Sequence, residues 1–135
     1  MAGYSGTPLS KKLGIKENFR AALIDMPTDV KAELKDALAT CQIAKGGNVP
    51  LDFVMVFVKT QAELKQQFSR LARQLVSTGI LWVSWPKKSS GVATDMNEND
   101  VRKIGLDAGL VDVKVCAVND IWSGLKFVIR VKDRK

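Results

Sequence analysis

Three lysines and a run of hydroxyls carry the clearest chemistry in this chain. Lys87 and Lys88 precede Ser89, Ser90 and Gly91, with Thr94 close behind, and Lys59 ends an apolar run. Ammonium and hydroxyl groups donate hydrogen bonds, so the set suits a phosphate or a carboxylate, and a neighbouring helix start would add free N–H donors. Lys-Lys-Ser-Ser-Gly is also what an ordinary solvated loop contains, and composition alone favours that reading. No GxxxxGK[ST] spacing occurs, which argues against conventional nucleoside triphosphate hydrolysis. Trp122 is placed to cover the sheet edge, to stack on a planar ligand or to meet a partner, covering being favoured, and Trp85 and Trp122 both lie close enough to report a ligand. Asp25, Asp95 and Asp120 could hold Mg2+ or act as a base, but turn and cap duties account for them, so neither a metal set nor a catalytic set is assigned.

The chain contains no histidine. Ser-His and Cys-His nucleophile pairs, histidine-based zinc and iron sites, and imidazole acid–base chemistry are therefore excluded. Ser84 lacks the GxSxG elbow as well. Cys41 and Cys116 stand far apart with no CxxC, so they read as two reduced, partly buried thiols. Lysine and arginine exceed the acidic residues to give a net charge of +7, an excess that favours anionic partners without naming one. The apolar run 51–58 is interrupted by Asp52 and is too short to span a bilayer, and residues 1–14 lack a signal-peptide pattern. No membrane partner is expected, and the expected location is the cytoplasm.

A length of 135 residues allows one domain with a real core. Thr7-Pro8 starts a short helix that Gly14 stops, an edge or lid piece. Residues 19–24 read as a first strand ending in a turn at Asp25, Pro27 and Thr28. Val30, Leu34, Ala37 and Leu38 then mark an amphipathic helix capped by Thr28. A weak strand at 41–44 leads into a glycine loop. Residues 51–58 read as a central strand buried on both faces. Thr60 and Glu63 form a capping box for a helix lined by Leu64, Phe68, Leu71 and Leu75 and closed at Gly79. Residues 80–85 give the next strand, with Trp82 and Trp85 on opposite faces. Asn97 and Asp100 open a helix lined by Val101, Ile104 and Ala108. Strands at 110–118 and 125–131 follow, joined by six residues that include Trp122; that is too few for a parallel crossover, so the pair must be an antiparallel hairpin.

Strand and helix alternation with a closing hairpin predicts a single α/β domain, 1–135, with residues 132–135 as a frayed tail. Its expected form is a three-layer, Rossmann-like sandwich with a mainly parallel sheet of about six strands closed by an antiparallel hairpin. In such sheets ligands bind beyond the carboxyl ends of the strands. That edge would gather segments 25–29, 59–60, 85–95 and 119–124.

Residues 52–85 and 101–130 resemble the second half of a class I methyltransferase domain. That family uses a glycine-rich turn after the first strand to approach the methionyl part of S-adenosylmethionine, and an acidic residue after the second strand to hold the ribose. Here the first turn is Asp25-Met26-Pro27-Thr28-Asp29, without glycine, and too few residues separate Asp25 from Asp52 for a full front half. The architecture thus reads as a degenerate, reduced methyltransferase, and no cofactor, S-adenosylmethionine included, is expected. Over the whole chain, the strings YSGTPLSKKLGIK (4–16), LWVSWPKKSSGVATD (81–95) and VDVKVCAVNDIWSGLKFVIR (111–130) resemble a family of small bacterial proteins classed as a domain of unknown function. That resemblance implies a bacterial cytoplasmic protein and supplies no activity.

The expected function is a ligand-binding or interaction module with an anionic small-molecule site at Lys59, Lys87, Lys88, Ser89, Ser90, Thr94, Trp85 and Trp122. An enzyme acting on a phosphorylated or nucleotide-like substrate is the alternative. Nucleic-acid binding is a third reading, through Lys126, Arg130, Lys132, Arg134 and Lys135. It is the weaker one, because no RNP pattern or helix-turn-helix spacing accompanies the charges, and Lys126, Val128 and Arg130 on one strand face fit ordinary edge protection.

Overall fold

The computed structural model describes residues 7–45 and 47–134. In chain order it runs α1 (Leu9–Leu13), β1 (Arg20–Ile24), α2 (Thr28–Glu33), α3 (Lys35–Leu38), β2 (Gln42–Ile43), β3 (Leu51–Phe57), α4 (Gln61–Gln74), β4 (Leu75–Pro86), α5 (Glu98–Asp107), β5 (Leu110–Ala117) and β6 (Trp122–Ile129). The strands form one sheet in the order β2-β1-β3-β4-β6-β5. β2, β1, β3 and β4 run parallel, whereas β6 is antiparallel to β4 and β5 to β6. The short final connection enforces that reversal, as the sequence predicts.

Hydrophobic spacing divides the helices between the two faces. Leu64, Phe68 and Leu71 of α4, with Val101 and Ile104 of α5, pack on Val54, Val56, Leu81, Val83, Leu125 and Phe127. Leu9 and Leu13 of α1, with Val30 and Leu34, pack on Phe53, Met55, Phe57 and Trp82. The result is the expected three-layer α/β sandwich. β3 is buried against both layers, which explains its near-continuous apolar sequence. Trp82 and Trp85 enter opposite layers, as period-two alternation requires. The Trp82 indole N–H donates to Leu13 O at 2.8 Å, so α1 is fastened to the sheet rather than resting on its edge.

Several expectations about elements are corrected. The helix after Thr60 stops at Gln74, not at Gly79, because Val76 and Thr78 are β-branched and the chain passes directly into β4. Gly79 instead sits in an irregular stretch where Leu51 pairs with Leu75 but Phe53 pairs with Ile80. A Cβ there would lie 2.9 Å from Val76 O and 3.0 Å from Leu51 O, so the glycine permits close backbone approach. The helix expected over Val30 to Leu38 is two pieces, split at Leu34, whose φ of −94° and ψ of 3° leave the helical region. Its cap is Pro27 rather than Thr28, and the cap of α1 is Pro8 rather than Thr7. Trp122 opens β6 opposite Pro86 instead of lying in the turn. Finally, β6 ends at Ile129, and the Arg130 guanidinium turns to Leu106 O at the end of α5, which breaks the alternation expected through Arg130. The tail leads into a short 3-10 turn at Val131–Asp133; Lys135 lies outside the described residues.

Candidate functional site at the carboxyl edge

From β1 the chain crosses to β2 on one side, whereas β3 and β4 lie on the other. The strand order therefore reverses between β1 and β3, and a crevice outside their carboxyl ends is where open α/β sheets bind ligands. The β1 wall of that crevice is Asp25, Met26 and Pro27. Asp25 is exposed and has φ 56°, a left-handed conformation normally left to glycine, and Met26 behind it is buried. The β3 wall is Val58, Lys59 and Thr60, where Val58 N donates to Ser84 O at 3.0 Å.

Side-chain and backbone bonds draw the four edge segments together. Thr94 Oγ1 donates to Lys59 O at 2.7 Å, and Gln61 Nε2 donates to Asp95 O at 2.9 Å. Lys87 N donates to Ile121 O at 2.8 Å, and Asn119 Nδ2 donates to Asp29 Oδ2 at 3.4 Å. The start of α4 is built as a full capping box: Thr60 Oγ1 accepts from Glu63 N and Glu63 Oε1 accepts from Thr60 N, both at 3.1 Å. Glu63 Oε1 also accepts from Lys59 N, and Asp95 Oδ1 accepts from Gln61 N at 2.8 Å. These first-turn N–H groups, expected to be free for an anion, are thus bonded to the chain's own side chains. On this wall the exposed side chain of Lys59 remains for a ligand.

The residues singled out from the sequence fall into three groups. Lys59, Lys88 and Ser89 are exposed at the edge, and Lys87 is half-buried. Ser90 and Thr94 serve the loop, Ser90 Oγ donating to Lys87 O at 2.6 Å and accepting from Val92 N, while Thr94 Oγ1 accepts from Met96 N. Trp85 and Trp122 are buried in opposite layers, and Trp122 stands edge-on to Phe57 with ring centres 5.0 Å apart. Ser84, next to Trp85 in β4 and opposite Gly124 of β6, is fully buried, and its hydroxyl has no hydrogen-bond partner among the described residues. Asp95 is committed to α4, and among the described residues no three Asp, Glu or Cys side chains cluster as a metal site. No helix of the described residues is long and apolar enough to cross a membrane.

Sequence reasoning missed a second concavity, on the flank of α4. A groove of about 310 Å³ runs over Ala22, Ile24, Ala44 and Leu71, with Lys45 and Arg70 at its rim. It exists because β2 and β3 are joined by a short loop where another crossover helix would lie. The short spacing from Asp25 to Asp52 marks a missing element, and the sheet order shows where its absence leaves a groove.

No protein-family model and no curated protein matches the chain. Solved structures do match in fold. A SAM dependent methyltransferase from Aquifex aeolicus superposes with a TM-score of 0.63 at 15% identity, covering 87% of this chain and 85% of that one. Magnesium protoporphyrin IX methyltransferase (ChlM) from Synechocystis PCC 6803 with bound SAH gives 0.57 at 14% identity, covering 90% and 78%. Aeropyrum pernix fibrillarin with natively bound S-adenosyl-L-methionine gives 0.56 at 15%, covering 93% and 70%. The sheet is thus Rossmann-like and methyltransferase-like, as the sequence predicts. These neighbours correct the expectation that S-adenosylmethionine has no place here, because the shared fold is one on which ChlM holds SAH and the Aeropyrum fibrillarin holds S-adenosylmethionine. The first turn has no glycine for close backbone approach, but Asp25 itself takes the left-handed backbone there.

Proposed function

We propose that this chain is a small-molecule-binding module that takes an S-adenosylmethionine-type ligand in the crevice between the ends of β1 and β3. The observation that carries this reading is Asp25, a non-glycine residue held at φ 56° where the strand order reverses. Left-handed non-glycine residues cost energy and concentrate where a backbone must meet a ligand. The amino-acid end of such a ligand carries an ammonium and a carboxylate. Asp25 would accept from the ammonium, and Lys59, Lys87 and Lys88 would donate to the carboxylate, with Ser89, Ser90 and Thr94 shaping the loop. Trp85 and Trp122, one under each face, would report occupancy by fluorescence.

The ribose end departs from the pattern of the family. β2 pairs only as far as Ala21 with Ile43, so it stops three residues below Ile24, or about 10 Å, and Ala44 and Lys45 follow it instead of a carboxylate. The ligand is therefore held chiefly through its amino-acid end, and other carboxylate- or phosphate-bearing small molecules compete for the same lysines. The likeness to methyltransferases favours a second reading, an enzyme that passes the ligand's electrophilic methyl group to a phosphorylated or nucleotide-like acceptor. We place the protein in the bacterial cytoplasm on its resemblance to the small bacterial family.

Titration calorimetry with S-adenosylmethionine and S-adenosylhomocysteine tests the reading. Wild type is expected to bind at roughly micromolar Kd, and Asp25→Asn to weaken binding by about 1.5–3 kcal/mol, the worth of a hydrogen bond to a charged group. Asp25→Gly, which keeps the turn and loses the carboxylate, should weaken it similarly. No binding of either compound, or equal binding by both variants, contradicts it.

A further inference from the structure

The α1-facing side of β5 and β6 gathers lysines outside the crevice described above. Lys114 of β5 pairs in register with Lys126 of β6, which pairs in turn with Trp82 of β4. Trp82 belongs to the α1-facing layer, so the two lysines extend its row along that face. Side chains directly opposed on antiparallel strands have Cβ atoms about 5 Å apart, and like charges there repel. Lys114 Nζ donates to Lys12 O at 3.1 Å, which brings the end of α1 against the row. One row up, Gly124 pairs with Cys116 and places no side chain over the sheet.

The charges that act on Lys126 and Cys116 are of one sign. Burial, then the charges of Lys114 and Lys16, lowers the pKa of Lys126. Burial pushes the Cys116 thiol up, against the pull of Lys114, Lys12 and Lys87. Among the described residues the ion pairs are Arg102 with Glu98, Arg102 with Asp112 and Lys103 with Asp107, all made by α5 and none by Lys16, Lys87, Lys114 or Lys126. A half-buried ammonium facing another ammonium is costly, and a multiply charged anion lowers that cost while accepting hydrogen bonds from both.

We propose that this row binds a multiply charged phosphate group, with Lys114 and Lys126 as its principal donors and Lys16 near them. The shared chemistry is a chain of linked phosphates, whether of a small polyphosphate or of a nucleic-acid backbone. The site is separate from the carboxyl-edge crevice, and its test is independent of S-adenosylmethionine.

The probe is tripolyphosphate, titrated calorimetrically into the full chain at low and at physiological ionic strength, with a short single-stranded oligonucleotide as the second arm. Wild type is expected to bind, and the double variant Lys114→Gln, Lys126→Met to bind at least about tenfold more weakly; the methionine keeps the apolar stem beside Trp82. Lys65→Gln, at an exposed position of α4 on the other side of the sheet, should bind the probe as wild type does. Tighter binding of the oligonucleotide, steeply salt-dependent and dependent on the same two lysines, assigns the phosphates to a nucleic acid; tighter binding of tripolyphosphate assigns them to a small molecule. Failure of both probes to bind wild type overturns the proposal, as does unchanged binding by the folded double variant. Should that variant unfold, the exposed Lys114→Glu decides: undiminished binding overturns the proposal, and loss supports it.

Discussion

Gly105 shows how finely single residues set the packing of the α4 and α5 layer. It lies inside α5, buried, where a Cβ would fall 2.0 Å from the Phe127 ring. That ring stands edge-on to Phe68 with centres 5.2 Å apart, so it cannot yield without disturbing α4 as well. Gly105→Ala gains about 1 kcal/mol of helix propensity and loses more to overpacking, giving a net destabilisation of about 1–3 kcal/mol in urea unfolding. Adding Phe127→Leu should return part of that loss. A stability at or above wild type for Gly105→Ala would show that the ring has room to move. Legibility at this scale is uneven. The lysines could be read from the sequence because charge belongs to the residue. The left-handed turn at Asp25 could not, because a backbone angle that aspartate tolerates leaves no mark on composition.

Elements were most legible where local chemistry decides them. Thr60 and Glu63 announce the start of α4 by type and spacing, and the structure closes both halves of the box. Thr60→Ala is expected to cost about 1 kcal/mol, read as a lower midpoint in urea with unchanged slope, because it leaves the Glu63 N–H without its acceptor. A loss no greater than that of an exposed α4 substitution such as Gln66→Ala would mean the box contributes nothing. Elements were misread where tertiary pairing overrides local signals. Gly79 looks like a helix stop after Leu75, but register with β3 recruits 75–79 into β4 and turns that glycine into a point of close approach. The helix pair α2 and α3 keeps the predicted apolar stripe, Val30 and Leu34 buried, while the backbone breaks at Leu34. Periodicity reports which side faces the core and is silent on such a break.

At the scale of the molecule, connection lengths made the sheet legible: helical crossovers give parallel neighbours and the short last loop gives a reversal. The strand order that follows puts the switch point between β1 and β3 and so names the crevice before any side chain is considered. Lack of glycine in the first turn pointed away from S-adenosylmethionine, whereas the fold is shared with proteins solved with S-adenosylmethionine or SAH bound. The flank groove beside α4 was half legible: the short spacing from Asp25 to Asp52 announces a missing element, but only the strand order says which flank it leaves open. The central claim is that the crevice at the β1 and β3 ends is the ligand site, and amide chemical-shift mapping during titration with S-adenosylmethionine tests it most directly. The account predicts saturable shifts confined to residues 24–29, 58–61 and 87–95. Shifts concentrated instead at Ala44, Lys45, Arg70 and Gln74 on the α4 flank, or none at saturating ligand, would contradict it.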